Sequence, residues 1–371
     1  MTATVALIGA NGYGRHHRRH LASLGGVRLV ALADTRPIDR DPPLPDGIRL
    51  FACHHELLDA TKPDVVVICT PPHTHLPIAE DALRAGADVL LEKPPLRTLA
   101  EHRSLMAVLG ETGRACQVGF QALGSRAAGM LFDAAAGQTV RSIATVASWQ
   151  RDDAYYARAP WAGRRSVAGR PTVDGALVNP LAHAVMQSLA AAAAAGAGPV
   201  EALAVERYRT RPIEVDDTAF ARLTFAGGLR LTAAVTLAGE DFIAGEVVVD
   251  GTAGRAVLEY PTDRLALPGD TALRPVEGRT DLLENLVAHR GDPAVPLLVP
   301  LARTEAFTGV LEALTAPEVP LPTLLGGPLV EIRGGVRVIR GINRVLRRSA
   351  ETLALPSELG VPWAVPPYLC A

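Results

Sequence analysis

A lysine closing one apolar run, a histidine opening an alanine-rich one, and a glycine-bearing turn near the N-terminus are the residues of this chain that could do chemistry. Lys93 stands in Glu92-Lys93-Pro94, directly after Asp88-Val89-Leu90-Leu91, where a parallel strand brings its carboxyl end to a ligand. An ammonium there can donate a hydrogen bond to an oxygen on which negative charge develops. His183 follows Asn179 at a spacing that predicts one helical face for both. A neutral imidazole is suited to take a hydroxyl proton near neutral pH. Asn179 cannot act as a base, so its part is to position a substrate. Singly, His183 also fits a core histidine and Lys93 a surface lysine. Together they have the makings of a site that oxidises a secondary alcohol, provided a hydride acceptor lies alongside.

The turn Gly9-Ala10-Asn11-Gly12-Tyr13-Gly14 supplies a place for that acceptor. Gly9 and Gly14 take the first and third positions of G-x-G-x-x-G, and Asn11 takes the second. Asn tolerates left-handed dihedrals better than most residues, and Gly12 beside it allows close approach. Such a turn seats a pyrophosphate on the N-terminal dipole of the helix that follows. Asp34 lies roughly 20 residues further on, the spacing of a carboxylate that accepts from both ribose hydroxyls and repels a 2′-phosphate. NAD is therefore the expected cofactor. Thr35 and Arg36 adjoin Asp34, and the Arg36 guanidinium, able to pair with a phosphate or to stack on adenine, keeps NADP as the lesser alternative. Thr70, Pro71, Pro72 and His75 form a rigid loop beside the dinucleotide, with His75 orienting it. Arg15, His16, His17, Arg18, Arg19 and His20 read as a solvated or anion-facing helix surface, and no metal site is assigned.

The elements that would position these residues are legible. Up to about Gly119, short β-branched runs (Val5-Ile8, Arg28-Ala33, Val65-Ile68, Val89-Leu91, Gln117-Val118) alternate with helical patterns at Tyr13-Leu24, His75-Ala85 and Leu99-Thr112, as parallel βαβ units require. After Phe120, longer strands follow one another at Ile143-Trp149, Val200-Arg207, Thr218-Phe225, Leu229-Leu237, Glu246-Asp250 and Arg255-Tyr260, joined by Gly-containing turns. A helix is expected from near Asn179 to a cap around Gly196, with others near Ala302-Leu314 and Val336-Leu353. The expected fold class is α/β plus α+β. An N-terminal Rossmann dinucleotide-binding domain at 1–120 precedes a substrate-binding and oligomerisation domain at 121–371, built on an open, mainly antiparallel sheet.

Composition bounds the function. The 371 residues are 48% hydrophobic and 20% charged, with a net charge of −2; this gives no electrostatic footprint for nucleic acid or an anionic membrane. Cys53, Cys69, Cys116 and Cys370 form no CxxC pair, so a disulfide framework is not expected. No apolar run approaches the roughly 20 residues of a membrane span and no leader pattern opens the chain; a cytoplasmic location is expected. A sheet with one uncovered apolar face predicts a homodimer or homotetramer.

The ordered set of motifs resembles the Gfo/Idh/MocA oxidoreductases, which include sugar and inositol dehydrogenases. The likeness rests on the Gly9-to-Gly14 turn, Asp34, Thr70-Pro71-Pro72 with His75, Glu92-Lys93-Pro94, Val118-Gly119-Phe120, and Gly175 through His183. It implies that Lys93 lies between nicotinamide and substrate, that the Lys93–Pro94 bond is cis, and that Asn179 and His183 are the second signature. The chain departs from the family where three glycines usually precede that signature, since only Gly175 remains, and where Met186 replaces an Asp three residues after the His. Between Trp149 and Asp174, arginines and aromatics crowd together. Tyr155, Trp161, Arg164 and Arg165 are expected to bind a small polyhydroxylated substrate, with or without an acidic group, although these arginines could equally pair with acids of the chain. The resemblance also leaves two alternatives: redox-neutral, NAD-dependent elimination or glycoside cleavage, and a non-catalytic dinucleotide-sensing regulator.

Overall fold

Runs of Val, Leu and Ile that alternate with amphipathic helices can be buried only if the strands form a sheet covered on both faces. The computed structural model describes residues 2–370. The chain divides into two units, one running up to Phe120 together with Thr280–Thr308, the other comprising Gln121–Arg279 and the chain from Gly309 onward.

The first unit runs β1 (Ala3–Ile8), α1 (Gly14–Ser23), β2 (Val27–Ala33), β3 (Arg49–Phe51), α2 (His54–Thr61), β4 (Val65–Ile68), α3 (His75–Arg84), β5 (Asp88–Leu91), α4 (Leu99–Thr112) and β6 (Cys116–Val118). Its strands pair in parallel in the order β3-β2-β1-β4-β5-β6, the doubly wound arrangement of a dinucleotide-binding sheet, whose order reverses between β1 and β4. The strands β1, β4, β5 and β6 follow the sequence reading closely, whereas β3 and α2 had no counterpart in it, β3 being three residues long.

Residues 280–308 correct the expected boundary, because they belong with the first unit. The buried Gln117 on β6 explains this. Its amide nitrogen donates to Asn285 Oδ1 at 3.0 Å and to the Leu282 carbonyl, and its oxygen accepts from Val299 N at 3.0 Å. Arg290, in the helix Leu282–Gly291, bridges Asp88 at 2.7 Å and Asp64 at 3.1 Å. A β6 edge without this segment would leave a buried amide unpaired, which costs more than the hydrogen bonds contribute.

The second unit contains α5 (Arg126–Ala136), β7 (Val140–Gln150), the short α6 (Asp153–Ala157), a two-strand ribbon of β8 (Ser166–Val167) with β9 (Arg170–Pro171), and α7 (Ala182–Ala194). Strands β10 (Val200–Arg209), β11 (Thr218–Phe225), β12 (Arg230–Thr236), β13 (Ala238–Gly251), β14 (Gly254–Glu259), β15 (Arg264–Ala266) and β16 (Arg274–Pro275) follow. With β7 they form a sheet ordered β16-β15-β14-β13-β7-β12-β11-β10 and extended by Thr323–Leu324. It is mainly antiparallel, with parallel pairs at β7/β12 and β10/Thr323–Leu324.

Three local expectations change. The helix starts at Ala182, so Asn179 lies in the turn before it; Pro180 restricts the residue that precedes it and has no N–H for a helical bond. The segment 336–353 is a strand, Val336–Ile339, hairpinned to Val330–Arg333 through Gly334 and Gly335, followed by the helix Ile342–Thr352. The left-handed Gly334, Gly335 and Gly341 punctuate it. A 3₁₀ turn, Leu301–Thr304, precedes the helix Glu305–Thr315.

The sheet's second face is also not bare. While α5 and α7 pack on one side, Ile339, Ile342, Leu346 and Leu355 bury against Val146, Tyr208, Phe220 and Ala234 on the other. The chain's own C-terminal segment thus covers part of the sheet face from which an oligomer was expected. No helix among the described residues is long and apolar enough to cross a membrane.

Leu286, fully buried on the 282–291 helix, tests the reassigned segment. Leu286→Ala should cost about 2–5 kcal/mol in urea unfolding and lower the stability of the first unit; an unchanged midpoint would contradict the packing.

Candidate functional site

In the first unit the site is built at the carboxyl edge of the sheet, where β1 and β4 part. Gly9 has φ +89°, and a Cβ on it would stand 2.3 Å from the Cys69 carbonyl oxygen. A Cβ on Gly14 would stand 1.9 Å from the Gly9 carbonyl oxygen. Both glycines are therefore required by backbone-to-backbone contact. Gly12, at φ +58°, has open space where its Cβ would be, and Asn11 is not among the residues with positive φ. Gly12, rather than Asn11, thus takes the left-handed position and leaves the approach to the turn clear. The first turn of α1 holds no acidic residue and has no side-chain cap, so its positive dipole end remains available to an anion. These features fit a dinucleotide pyrophosphate.

Asn11 has another task. Its amide donates to the Pro37 carbonyl at 3.2 Å, its oxygen accepts from Asp39 N at 3.1 Å, and its backbone N–H donates to Asp34 Oδ2 at 3.0 Å. Asp34 Oδ1 accepts from Arg36 N at 3.0 Å, and the exposed Arg36 guanidinium lies 3.8 Å from the same oxygen. Each carboxylate oxygen keeps further acceptor capacity for a ribose hydroxyl. The turn, Asp34 and Arg36 therefore form one hydrogen-bonded corner, with Thr35 between the last two.

The basic run on α1 departs in part from its expected role. His17 and Arg18 are buried, on one face with Gly14 and Leu21. Arg15 and Arg18 both reach Asp39, at 2.7 and 3.1 Å, Arg18 also holds the Pro42 carbonyl, and Arg19 pairs with Asp41. These cations brace the loop after β2; Arg15, His16 and Arg19 are exposed, as expected of a solvated surface, while His17 and Arg18 turn inward. His17 points to Glu92, with Nε2 2.8 Å from Oε1. Among the described residues, the cluster whose ligand atoms could converge on a cation is elsewhere, His54 and His55 with Asp81, and there Asp81 already accepts from His54 at 2.9 Å.

Glu92 joins the parts. It is buried, accepts from His17 and from Lys93 N at 3.1 Å, and sits where a Cβ on Gly119 would come within 3.2 Å of its carboxyl group. Burial alone would raise its pKa, but the His17 contact and the adjacent Lys93 outweigh burial and hold the carboxyl below the ordinary range. Lys93 is half-buried just past β5, and the Lys93–Pro94 bond is cis. His75, fully buried, has Nδ1 2.9 Å from the Pro95 carbonyl and Nε2 2.8 Å from the Thr70 carbonyl. It pins the Thr70-Pro71-Pro72 loop to the segment that follows Lys93. Burial lowers its pKa, against the opposing pull of the Pro95 and Thr70 carbonyls.

In the second unit two buried carboxylates shape the segment that leads into α7. Asp174 accepts from Gly163 N at 2.7 Å and from Asn179 Nδ2 at 3.0 Å, fixing which way the Asn179 amide faces. Asp216 accepts from Ala176 N at 2.8 Å, and Gly175, at φ +121°, passes so close that a Cβ would lie 3.0 Å from Asp216 Oδ1. Burial pushes the Asp216 carboxyl up to about 6, against the opposing pull of Arg207 and the Ala176 N–H. His183 is half-buried in the first turn of α7. Arg164 and Arg165, expected to clamp a substrate, are engaged within the chain. Arg164 pairs with Glu214 at 3.1 Å, while the Arg165 guanidinium donates to the Val319 and Ala316 carbonyls at 2.8 and 2.7 Å. Tyr155 is half-buried and Trp161 is 38% exposed. The sequence reading missed His17 and Asp216. The signal for His17 was its place three residues after Gly14 on the inward face; Asp216 had none.

Two substitutions test these arrangements. His17→Leu strands a buried carboxylate and should cost about 3–5 kcal/mol in denaturant unfolding; wild-type stability would show that Glu92 does not depend on it. For Asp216, the folded pKa of about 6 lies above the ordinary value of 3.8. Its favourable contribution is therefore complete below the unfolded pKa and is lost as pH rises through about 6. Asp216→Asn should gain stability relative to wild type between pH 4 and 7, and a difference in melting temperature that stays flat across that range would refute the buried carboxyl's role.

Residues 3–120 match the family described as "Oxidoreductase family, NAD-binding Rossmann fold", Gfo/Idh/MocA. Inositol 2-dehydrogenase of Rhizobium meliloti (strain 1021) is 32% identical over 124 residues, which is 32% of this chain and 36% of that protein. The scyllo-inositol 2-dehydrogenase (NAD(+)) of Bacillus subtilis (strain 168) is 30% identical over 122 residues, 31% of this chain and 34% of that protein. The match thus spans about a third of these curated relatives' length. Among solved structures, the WlbA dehydrogenase from Bordetella pertussis, in complex with NADH and UDP-GlcNAcA, has a TM-score of 0.69 at 21% identity, covering 88% of this chain and 100% of that one. That likeness extends the shared fold through both units. Through residues 3–120, the chain is related to the Gfo/Idh/MocA oxidoreductases.

Proposed function

We propose that the protein is an NAD-dependent oxidoreductase that oxidises a secondary hydroxyl of a sugar, cyclitol or sugar derivative, or reduces the corresponding ketone. The observation that carries the reading is the joint placement of the glycine turn, Asp34, the Thr70 loop and Lys93 at the carboxyl edge of one parallel sheet, with Lys93 anchored through the buried Glu92. The dehydrogenases of inositol among the relatives point to the same class of alcohol.

Bound NAD would supply the hydride acceptor. Gly12 and the start of α1 would receive its pyrophosphate, and Asp34 its ribose hydroxyls, which favours NAD over NADP because the carboxylate would repel a 2′-phosphate. Lys93 would donate to the substrate oxygen and stabilise developing alkoxide. His183 would take the hydroxyl proton and return it in the reverse direction. Asn179, its amide orientation set by Asp174, would hold a neighbouring hydroxyl.

The test is nicotinamide absorbance with NAD and a panel of cyclitols, aldoses, uronates and glycosides, alongside dinucleotide titration. Lys93→Ala should bind NAD as wild type does and lose about 10²–10³ in kcat, the scale of one hydrogen bond to a developing oxyanion. Reduction of NAD undiminished in Lys93→Ala would contradict the assignment, as would failure of the wild type to bind either dinucleotide.

A further inference from the structure

In the 149–161 segment, Arg151 and Arg158 pair with no acid among the described residues, and both stack on aromatic rings. The Arg151 guanidinium lies 5.0 Å from the Trp149 ring centre and 5.2 Å from that of Tyr155; the Arg158 guanidinium lies 3.6 Å from Tyr155 and 4.6 Å from Trp161. Arg151 donates to its neighbour's carbonyl, Gln150 O at 2.9 Å, and Arg158 to Tyr155 O at 2.5 Å. Neither forms an ion pair among the described residues, whereas the nearby Arg164, Arg211 and Arg337 all do, with Glu214 or Asp153.

Two like charges are therefore held within 5.2 Å of one ring centre with no ion-pair partner among the described residues. The rings cover guanidinium faces and leave N–H edges for an acceptor lying in plane, the geometry in which arginine takes carboxylate or phosphate oxygens. The exposed Trp161 adds an apolar face of the kind that receives a sugar ring. Tyr155 packs on Tyr156, ring centres 5.1 Å apart; Tyr156 lies against Gly163, whose N–H donates to Asp174, the residue that orients Asn179, so the cluster lies beside the segment assigned to substrate positioning.

We infer that Arg151 and Arg158, interleaved with Trp149, Tyr155 and Trp161, form an oxyanion subsite that selects a polyol ring bearing a carboxylate or a phosphate. The inference rests on the proposed polyol-directed function and moves the anion contact from Arg164 and Arg165 to a different pair.

The fluorescence of Trp149 and Trp161 reports on binding. Wild type, Arg151→Gln, Arg158→Gln and the control Arg164→Gln would be titrated with glucuronate, glucose 1-phosphate and glucose, at low and high salt, after thermal melts confirm folding. In wild type at least one acidic probe should bind about tenfold or more tighter than glucose, the scale of a charge-assisted hydrogen bond, and added salt should erode the difference. Arg151→Gln and Arg158→Gln should each lose most of that preference while Arg164→Gln keeps it. Should Arg151→Gln fail to fold, the exposed Arg158 decides alone. Whichever acidic probe binds tighter identifies carboxylate or phosphate as the natural oxyanion. Equal binding of acidic and neutral probes, no binding of either acidic probe, or an unchanged preference in Arg158→Gln overturns the inference. NAD titrated into the same samples separates the two readings: intact NAD binding without acidic preference sinks the subsite alone, and acidic preference without NAD binding sinks the redox function alone.

Discussion

A carboxylate buried at the end of β5 is the constraint on which the first unit depends. Glu92 can remain ionised in an apolar interior only if donors surround it, and the chain supplies them from α1, through His17, and from the backbone of Lys93. Gly119 leaves room for it at the end of β6. One charge thus ties the helix whose N-terminus faces the glycine turn to the strand end that presents Lys93. His75 makes a second tie, between the loop after β4 and the residues after Lys93. The candidate site owes its rigidity to these contacts, because the parts that would touch a ligand lie on loops.

The second unit solves a similar problem with aspartates. Asp174 and Asp216 hold the backbone of residues 163–176 and the amide of Asn179, so the turn before α7 is determined by charge rather than by helix geometry. The one glycine before this turn, Gly175, has the Asp216 carboxyl packed against it. The Met186 position is buried inside α7, consistent with an apolar replacement there.

What the sequence disclosed was local. The glycine turn, Asp34 and the strand ends were readable because each reflects a backbone requirement within a few residues. His17 was obscured by its basic neighbours, although the helical period turns it and Arg18 inward. Pro180 was in plain view, and its effect on the helix start was outweighed by the appeal of the Asn179-to-His183 spacing. The engagement of Arg164 and Arg165 depends on Glu214, Ala316 and Val319, partners far along the chain that no pattern announces. The C-terminal helix was legible as a helix, but its docking on the second face of the sheet was not, since amphipathicity says that a face is buried and not against what.

The most direct measurement is an experimental structure of the protein with NAD bound. The pyrophosphate is expected over Gly12 at the start of α1, the adenosine ribose hydroxyls on Asp34, and the nicotinamide beside Lys93, with the Glu92–His17 contact intact. A dinucleotide bound away from the β1/β4 edge, or one whose nicotinamide lies out of reach of Lys93, would contradict this placement.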